Sequence, residues 1–224
     1  VKGKAGSPYA ITDYYDIDPD ICEDKRRRMH EFEELVERSH QAKLDVIIDF
    51  VPNHVAREYH STCKPKGVED LGATDNPQWA FSPLNNFYYI HQPFAPSFDV
   101  EGYTENPTRA TGNDCFTAHP SKDDWYETVK LNYGVFYQGS GEQQFDPIPN
   151  TWHKMLHILL FWSNKGVDGF RCDMAEMVPQ AFWAWVIPQV KAKYPNILFI
   201  AEVYNPNLYR EYLAAGFDYL YDKV

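Results

Sequence analysis

Residues 44–54 read Leu-Asp-Val-Ile-Ile-Asp-Phe-Val-Pro-Asn-His, an apolar and largely β-branched run that ends in polar side chains. A run of this kind is typical of a buried strand in a parallel sheet. The preceding residues 25–43 carry apolar side chains at helical spacing, which predicts an amphipathic helix. A helix that leads into a buried strand is the repeating unit of a parallel α/β fold.

The same alternation returns in the last third of the chain. Asn150 or Thr151 can cap a helix that runs to about Asn164, and Gly166 marks its end. The later predicted elements are a strand at 167–171, a kinked helix at 179–193, a strand at 197–201, a helix at 207–215 and a strand beginning within 216–221. Strands separated by helices imply a parallel α/β sheet, and periodicity leaves open whether that sheet closes into a barrel.

The middle of the chain is irregular. Residues 57–148 lack sustained periodicity and contain eight prolines, many Asn and Gly, and scattered aromatic side chains. This stretch is too long for a loop and too aromatic for a disordered linker. We therefore expect a small, loop-rich inserted domain at 57–148, flanked by the two parts of the α/β fold at 1–56 and 149–224.

The composition excludes several classes of protein. The chain has 21 basic and 32 acidic residues, and the resulting net charge of −11 argues against nucleic acid or an anionic membrane as partner. No apolar run approaches the roughly 20 residues of a membrane span. The opening Val-Lys-Gly-Lys-Ala-Gly shows neither Met nor a signal peptide. We expect a soluble, interior piece of a longer polypeptide, and its localisation stays open.

Polar side chains stand where three apolar strands end. Asp49 and His54 follow the first strand, Arg171 and Asp173 the second, and Glu202 the third. In a parallel α/β fold the carboxyl ends of the strands build the active site. One structural Arg–Asp pair with helix caps would explain a single strand end. Charged side chains at three strand ends in succession favour a functional site, because burying several charges is costly unless they are paired.

Two carboxylates that flank a bond, with Arg and His nearby, form the arrangement for cleavage of a glycosidic bond. Arg171 lies two residues before Asp173, so both side chains point to the same face of the strand. We expect the Arg171 charge to lower the pKa of Asp173 and keep this carboxylate ionised as a nucleophile. Glu202 follows a more apolar strand, and desolvation is expected to raise its pKa toward that of a general acid.

Three motifs have the order and spacing found in the α-amylase family of retaining α-glucosidases and transglycosylases, which the chain therefore resembles. They are Asp49-x-Val51-x-Asn53-His54, Gly169-Phe170-Arg171-x-Asp173, and Glu202 after an apolar strand. Residues 9–19 are also similar to the loop after the second barrel strand of that family. The resemblance implies a partial TIM (β/α)8 barrel containing about strands two or three to six. It also implies a domain B-like insertion after strand three, at 57–148.

The resemblance implies a role for each candidate residue, carried over position by position. The catalytic pair would be Asp173, the nucleophile, and Glu202, the general acid and base. The substrate-binding residues would be Arg171, which holds Asp173, His54 on the sugar hydroxyls of subsite −1, and Tyr9, stacked on that ring. The residues that support the site structurally would be Asp49, Asn53 and Asp13.

The chain also departs from the family pattern. The third family carboxylate, an Asp near the end of strand seven, has no counterpart, and strand one is absent. We therefore expect residues 1–224 alone to have little glycosidase activity and to self-associate through open barrel edges. The segment Ala175-Glu176-Met177 lacks the Lys-His of many α-amylases, which leaves room for a specificity other than endo-hydrolysis of starch.

The resemblance raises the question of calcium, but the residues argue against it. Asn53 matches a position that binds calcium in many members of the family, whereas Lys130 stands where a short domain B motif usually has Asp. The pair His153 and His157 lacks the Glu of a His-Glu-x-x-His zinc site. We predict no metal ligand and no required cofactor.

The resulting prediction is a retaining α-glycoside hydrolase that acts on α-linked glucans or maltooligosaccharides through a covalent glycosyl-enzyme intermediate. A transglycosylase with the same site is one alternative, since the acceptor loops cannot be located in the sequence. A catalytically silent carbohydrate-binding barrel module is the other. The joint presence of Arg171, Asp173 and Glu202 argues against the silent module.

Overall fold

The structure, a computed structural model, describes residues 6–100 and 102–221 of the chain. These residues form two compact units. We call residues 14–52 and 155–221 the sheet unit, and residues 6–13 and 53–154 the loop-rich unit. The irregular stretch 57–148 lies within the loop-rich unit.

Helices and strands alternate in the parts of the chain where the sequence predicts them. In chain order they are α1 (Arg28–Gln41), β1 (Ile47–Phe50), β2 (His54–Ala56), β3 (Tyr89–Ile90), β4 (Thr108–Arg109), β5 (Thr128–Lys130), α2 (Asn150–Asn164), β6 (Gly169–Cys172), α3 (Gln180–Lys193), β7 (Leu198–Glu202), α4 (Tyr209–Ala214) and β8 (Tyr219–Tyr221). Helix α2 has the predicted bounds, and Gly166 beyond its end has a φ of 89°, which favours glycine.

The sheet unit contains a four-stranded sheet in the order β1-β6-β7-β8, and every neighbouring pair is parallel. The predicted parallel α/β fold is therefore confirmed. Asp49 lies opposite Arg171, and Arg171 lies opposite Ile200. Because side chains alternate between the two faces of a strand, these three residues share one face of the sheet.

The other face of the sheet carries the core of this unit. Phe170 and Phe199 are fully buried, and their ring centroids lie 5.6 Å apart. Helix α3 covers this face through Trp183, whose ring lies 6.4 Å from Phe50 and 4.8 Å from Phe217. Helix α3 thus covers the apolar face, while the opposite face carries the charged side chains of Asp49 and Arg171.

The prediction of a buried first strand was wrong for most of its length. Within β1 Phe50 is buried, whereas Ile47 is 36% exposed, and Leu44 precedes the strand and is 61% exposed. The physical reason is position, because β1 lies at the edge of the four-stranded sheet and pairs on one side with β6. An apolar run predicts a strand, but it does not reveal how many neighbours that strand has.

The loop-rich unit has two short antiparallel pairs, β2 with β5 and β3 with β4. Buried or half-buried carboxylates, each bound by several donors, also hold segments of this unit together. Glu105 accepts from Arg57 at 2.8 Å and from Arg109 at 2.7 Å. Asp75 accepts the backbone N–H groups of Asn86 and Phe87. Such pairing offsets the cost of burying charge away from water.

None of the helices in the described part of the chain has the length and apolar character needed to cross a membrane.

Replacing Phe170 with Ala should lower the free energy of unfolding by about 4 kcal/mol, because a fully buried ring would leave a cavity between Phe50 and Phe199. Chemical denaturation measures this loss. Leu213→Ala is the matched control, since Leu213 is 48% exposed on α4 and its loss should change stability by about 0.5 kcal/mol or less. Equal losses from the two variants would contradict the assigned core.

Candidate active site

The guanidinium of Arg171 is the centre of a carboxylate cluster at the carboxyl ends of β1, β6 and β7. Its Nη1 atom lies 2.9 Å from Asp173 and 3.2 Å from Asp49, and its Nη2 atom lies 2.9 Å from Glu202. Asp173 is 6% exposed and Glu202 is 3% exposed, whereas the Asp49 side chain is about half exposed. One fixed positive charge thus holds two buried carboxyl groups side by side.

Local backbone geometry places these side chains. The Asp173 N–H donates to the Phe50 carbonyl at 2.9 Å, which extends the hydrogen-bond ladder past the end of β6. Met174 then adopts the left-handed region, with a φ of 46°, and its N–H donates to Glu202 Oε2 at 2.9 Å. A non-glycine residue in this region is strained, and such strain is concentrated at functional sites.

Two tyrosines complete the surroundings of Glu202. The Tyr204 hydroxyl donates a short hydrogen bond to Glu202 Oε1, and the Tyr221 hydroxyl lies 3.4 Å from the same oxygen. The Arg171 guanidinium also stands over the Tyr221 ring, 5.4 Å from its centroid. Every polar atom of the Glu202 carboxyl therefore has a partner, and the carboxyl is held in one orientation.

The pKa directions are opposite to those expected from the sequence. Burial raises the pKa of Asp173 to about 6, the Glu202 charge adds to this rise, and Arg171 opposes it. Burial also acts to raise the pKa of Glu202, but donation by Tyr204, by the Met174 N–H and by Arg171 outweighs it, so this pKa is lowered. The predictions of a lowered pKa for Asp173 and a raised pKa for Glu202 were therefore wrong.

Both carboxyl groups bind the same guanidinium, and the charge of Glu202 helps to raise the pKa of Asp173, so the two groups titrate as a pair. Two like charges held at one guanidinium resist joint ionisation. In the free protein the proton of the pair is held more tightly by Asp173 than by Glu202. The pair can thus provide one ionised and one protonated carboxyl group, which is the charge state that glycosidic cleavage requires.

The remaining candidate residues belong to the loop-rich unit. His54 is buried, its Nδ1 lies 3.1 Å from the Asn53 amide, and its ring lies 5.2 Å from that of Trp125. Burial first, and Lys130 second, lower the pKa of His54 to about 4. His54 is therefore neutral at ordinary pH, and a neutral imidazole can both donate to and accept from hydroxyl groups.

Tyr9 and Asp13 differ in their surroundings. The Tyr9 side chain is 39% exposed. Asp13 is buried and accepts from the Ser61 hydroxyl at 2.5 Å and from the Thr62 N–H at 2.8 Å. These bonds tie the N-terminal stretch of the loop-rich unit to its 61–62 turn.

The calcium position suggested by the resemblance does not fit a cation. Lys130 is 2% exposed, and its ammonium lies 2.6 Å from Asn53 Oδ1 and 2.7 Å from Asp114 Oδ1. The oxygens that a metal ion would need are therefore bound to a positive charge that belongs to the chain. Asn53 also donates to the Gly112 carbonyl at 2.8 Å, which leaves this amide in a fixed structural role.

Sequence reasoning missed several groups that surround the carboxyl pair. The sequence motifs include neither Tyr204 nor Tyr221. They include Glu176 only as part of a segment that departs from the family pattern. The Met174 N–H could not be found, since a backbone donor has no signature in side-chain identity. No strand period points to Tyr204 either, because it lies in the loop after β7.

Fold and site together define a class: an α/β protein whose parallel strands carry a buried, arginine-bridged carboxylate pair at their carboxyl ends. The family model for the alpha-amylase catalytic domain matches residues 3–212. The chain belongs to the alpha-amylase family.

Individual relatives are distant and much longer. The chain is 27% identical over 203 residues to an alpha-1,4-glucan:maltose-1-phosphate maltosyltransferase from Cereibacter sphaeroides, covering 89% of this chain and 25% of the relative. It is 26% identical over 204 residues to alpha-amylase 3 of Dictyoglomus thermophilum, covering 88% and 33%. The fold resembles the crystal structure of an alpha-amylase from Lactobacillus plantarum with a TM-score of 0.54 and 29% identity, covering 96% and 37%. The chain thus spans a quarter to somewhat over a third of these proteins.

Replacing Lys130 with Met should lower the free energy of unfolding by about 2 kcal/mol, because Asn53 Oδ1 would lose its buried partner. A metal chelator should leave the melting temperature of the unaltered protein unchanged, since the local cation is part of the chain. Lys66→Met, at an exposed lysine, is the matched control and should have little effect. A melting temperature that falls with chelator and recovers with calcium would contradict this account.

Proposed function

We propose that the protein containing this chain is a retaining enzyme that cleaves α-linked glucans or maltooligosaccharides through a covalent glycosyl-enzyme intermediate. The observation that carries the proposal is the bridge from Arg171, which lies 2.9 Å from Asp173 and 2.9 Å from Glu202 and so holds the two carboxyl groups close together. Close carboxyl pairs suit a retaining mechanism, because an inverting enzyme must leave room for water between them.

The proposed reaction has two steps. Asp173 attacks the anomeric carbon while Glu202 transfers its proton to the leaving oxygen, so the glycosidic C–O bond breaks as the carboxylate ester forms. Water then attacks the anomeric carbon of the ester, Glu202 takes the water proton, and Asp173 leaves as a carboxylate. Arg171, 2.9 Å from Asp173, stabilises the ionised state of the nucleophile at both ends of this cycle.

The free-enzyme proton must move for this cycle to begin, because Asp173 holds it more tightly than Glu202. Both groups are bound to the Arg171 guanidinium, so the proton moves within one cluster. The order of motifs in the family supports Asp173 as the nucleophile and Glu202 as the acid. His54 and Tyr9 are proposed to bind the sugar in subsite −1, with Asp49, Asn53 and Asp13 as structural support.

We further propose that the sheet unit is part of a TIM barrel, from about strand two or three to strand six, and that residues 57–148 are a domain B-like insertion. The sequential strand order β1-β6-β7-β8 supports the barrel, since consecutive parallel strands are neighbours in that fold. The compact loop-rich unit supports the insertion, because it contains all described residues of 57–148 between β1 and β6 in the chain.

Glycosyl transfer is the second candidate function, and similarity to a maltosyltransferase favours it over the silent module. Transfer uses the same intermediate and differs in the acceptor, which would be a sugar or phosphate oxygen rather than water. Products from a maltooligosaccharide, with and without added inorganic phosphate, distinguish the two. Shorter sugars alone indicate hydrolysis, while longer sugars or a sugar phosphate indicate transfer.

Asp173→Asn in the full-length protein should lower kcat by about 10⁴-fold or more while leaving folding and oligosaccharide binding intact, because the amide keeps the volume but cannot attack. Turnover of a maltooligosaccharide and its binding by calorimetry measure the two effects. Asp45→Asn, at an exposed position before β1, is the matched control and should retain full activity. Wild-type turnover by Asp173→Asn would exclude the proposed nucleophile.

The kcat/KM of the unaltered enzyme should fall as the pH rises above about 6, because the pair then loses the single proton that catalysis needs. It should also fall on the acid side below the ordinary glutamic-acid range, since the Glu202 pKa is lowered. An aryl glycoside with a good leaving group, which needs little protonation, provides the control.

With that aryl substrate, Glu202→Gln leaves Asp173 as the one carboxyl of the pair and should show a single rise of kcat/KM with pH. A bell-shaped profile in the variant, or an unaltered enzyme that keeps full rate well above pH 6, would contradict the shared proton.

A further inference from the structure

Glu176 fixes the backbone of the loop that follows β7. It lies in the 3-10 turn Ala175–Met177, three residues after Asp173. Its Oε2 atom accepts the N–H groups of Tyr204 at 3.2 Å and of Asn205 at 3.1 Å. Both donors come from one short stretch, so a single carboxylate oxygen orients two successive peptide groups.

The fixed loop presents Tyr204 to the proposed acid. The Tyr204 hydroxyl donates to Glu202 Oε1, while Oε2 of the same carboxyl is bound to Arg171 at 2.9 Å and to the Met174 N–H at 2.9 Å. The titratable and charged groups around Glu202 are Arg171 and Asp173 from the end of β6, Tyr204 from the loop after β7 and Tyr221 from β8.

From these contacts we propose that Glu176 and Tyr204 are positioning residues for proton transfer: Glu176 holds the Tyr204 backbone, and the Tyr204 hydroxyl holds the Glu202 carboxyl toward the leaving oxygen. This inference rests on the proposed function. Neither residue needs to touch the reacting atoms, because each acts through the next. The same turn that follows the nucleophile thereby controls the geometry of the acid, which couples the two catalytic groups through a second path besides Arg171.

The arrangement also gives a physical reason for an acidic residue at 176, within the segment that lacks the Lys-His of many α-amylases. A lysine ammonium donates and cannot accept backbone N–H groups, whereas a carboxylate accepts both. In the loop after β7, Tyr204 is half-buried, whereas Asn205 and its neighbour Pro206 are exposed. The two bonds to Glu176 hold the backbone N–H groups of both loop residues.

The first arm of the test is Tyr204→Phe in the full-length protein. The hydroxyl stabilises ionised Glu202, so its removal should raise the pKa of Glu202 and move the acid limb of kcat/KM against pH upward by about half a unit or more. We also expect kcat on a maltooligosaccharide to fall roughly tenfold with KM within about twofold, since the carboxyl loses its orientation. Tyr194→Phe, which removes a hydroxyl at the end of α3, should change neither.

The second arm tests Glu176. Glu176→Ala should shift the acid limb in the same direction and lower kcat, whereas Glu176→Gln, whose amide oxygen can still accept, should stay close to the unaltered enzyme. The double variant Glu176→Ala/Tyr204→Phe should be no slower than Tyr204→Phe alone, because both changes remove one chain of contacts. Glu211→Ala, at an exposed glutamate of α4, controls for loss of a surface carboxylate.

The outcomes separate this proposal from the one on which it rests. A Tyr204→Phe profile that does not move, or a rate loss equal at every pH, overturns the positioning role of Tyr204. Fully additive losses in the double variant overturn the role of Glu176. If instead Asp173→Asn keeps wild-type turnover, the proposed function itself fails, whatever the behaviour of the Tyr204 and Glu176 variants.

Discussion

The ion pairs of Arg171 are the constraint on which the active-site face of the sheet depends. Two nearly buried carboxyl groups and a third, half-exposed one lie around a single guanidinium. Without that cation the cluster would place like charges side by side in a poorly solvated site, at a cost of several kcal/mol. Arginine suits the position because its planar fork reaches several carboxylates at once and keeps its charge at any working pH.

Much of this arrangement could be predicted from the sequence because strands obey simple rules. Arg171 and Asp173 share a face because side chains alternate, and Asp49 and Glu202 join them because the strands are parallel and in sequential order. The contacts of Glu176 and Tyr204 could not be predicted in this way. They depend on the path of a turn and a loop, where neither a period of 2 nor one of 3.6 applies.

The error in the pKa directions has an equally physical cause. The sequence shows that Arg171 is close to Asp173, but it does not show that the same guanidinium also reaches Glu202. Nor does it show the Tyr204 hydroxyl and the Met174 N–H, which both favour ionised Glu202. The pKa of one carboxyl in a coupled pair depends on how many donors each partner receives, and these donors come from distant parts of the chain.

The loop-rich unit contains a buried cation of a different kind, the lysine Lys130. Lys130 binds Asn53 and Asp114 through its ammonium. Burial lowers the pKa of this ammonium, whereas an arginine side chain would keep its charge. The Lys130 charge has a consequence one residue beyond Asn53, since Lys130 helps to lower the pKa of His54 to about 4. Near pH 6, where the pKa of Asp173 lies, His54 is neutral and remains both a donor and an acceptor. Asp173 can therefore change its protonation with pH while the hydrogen-bonding capacity of His54 stays constant.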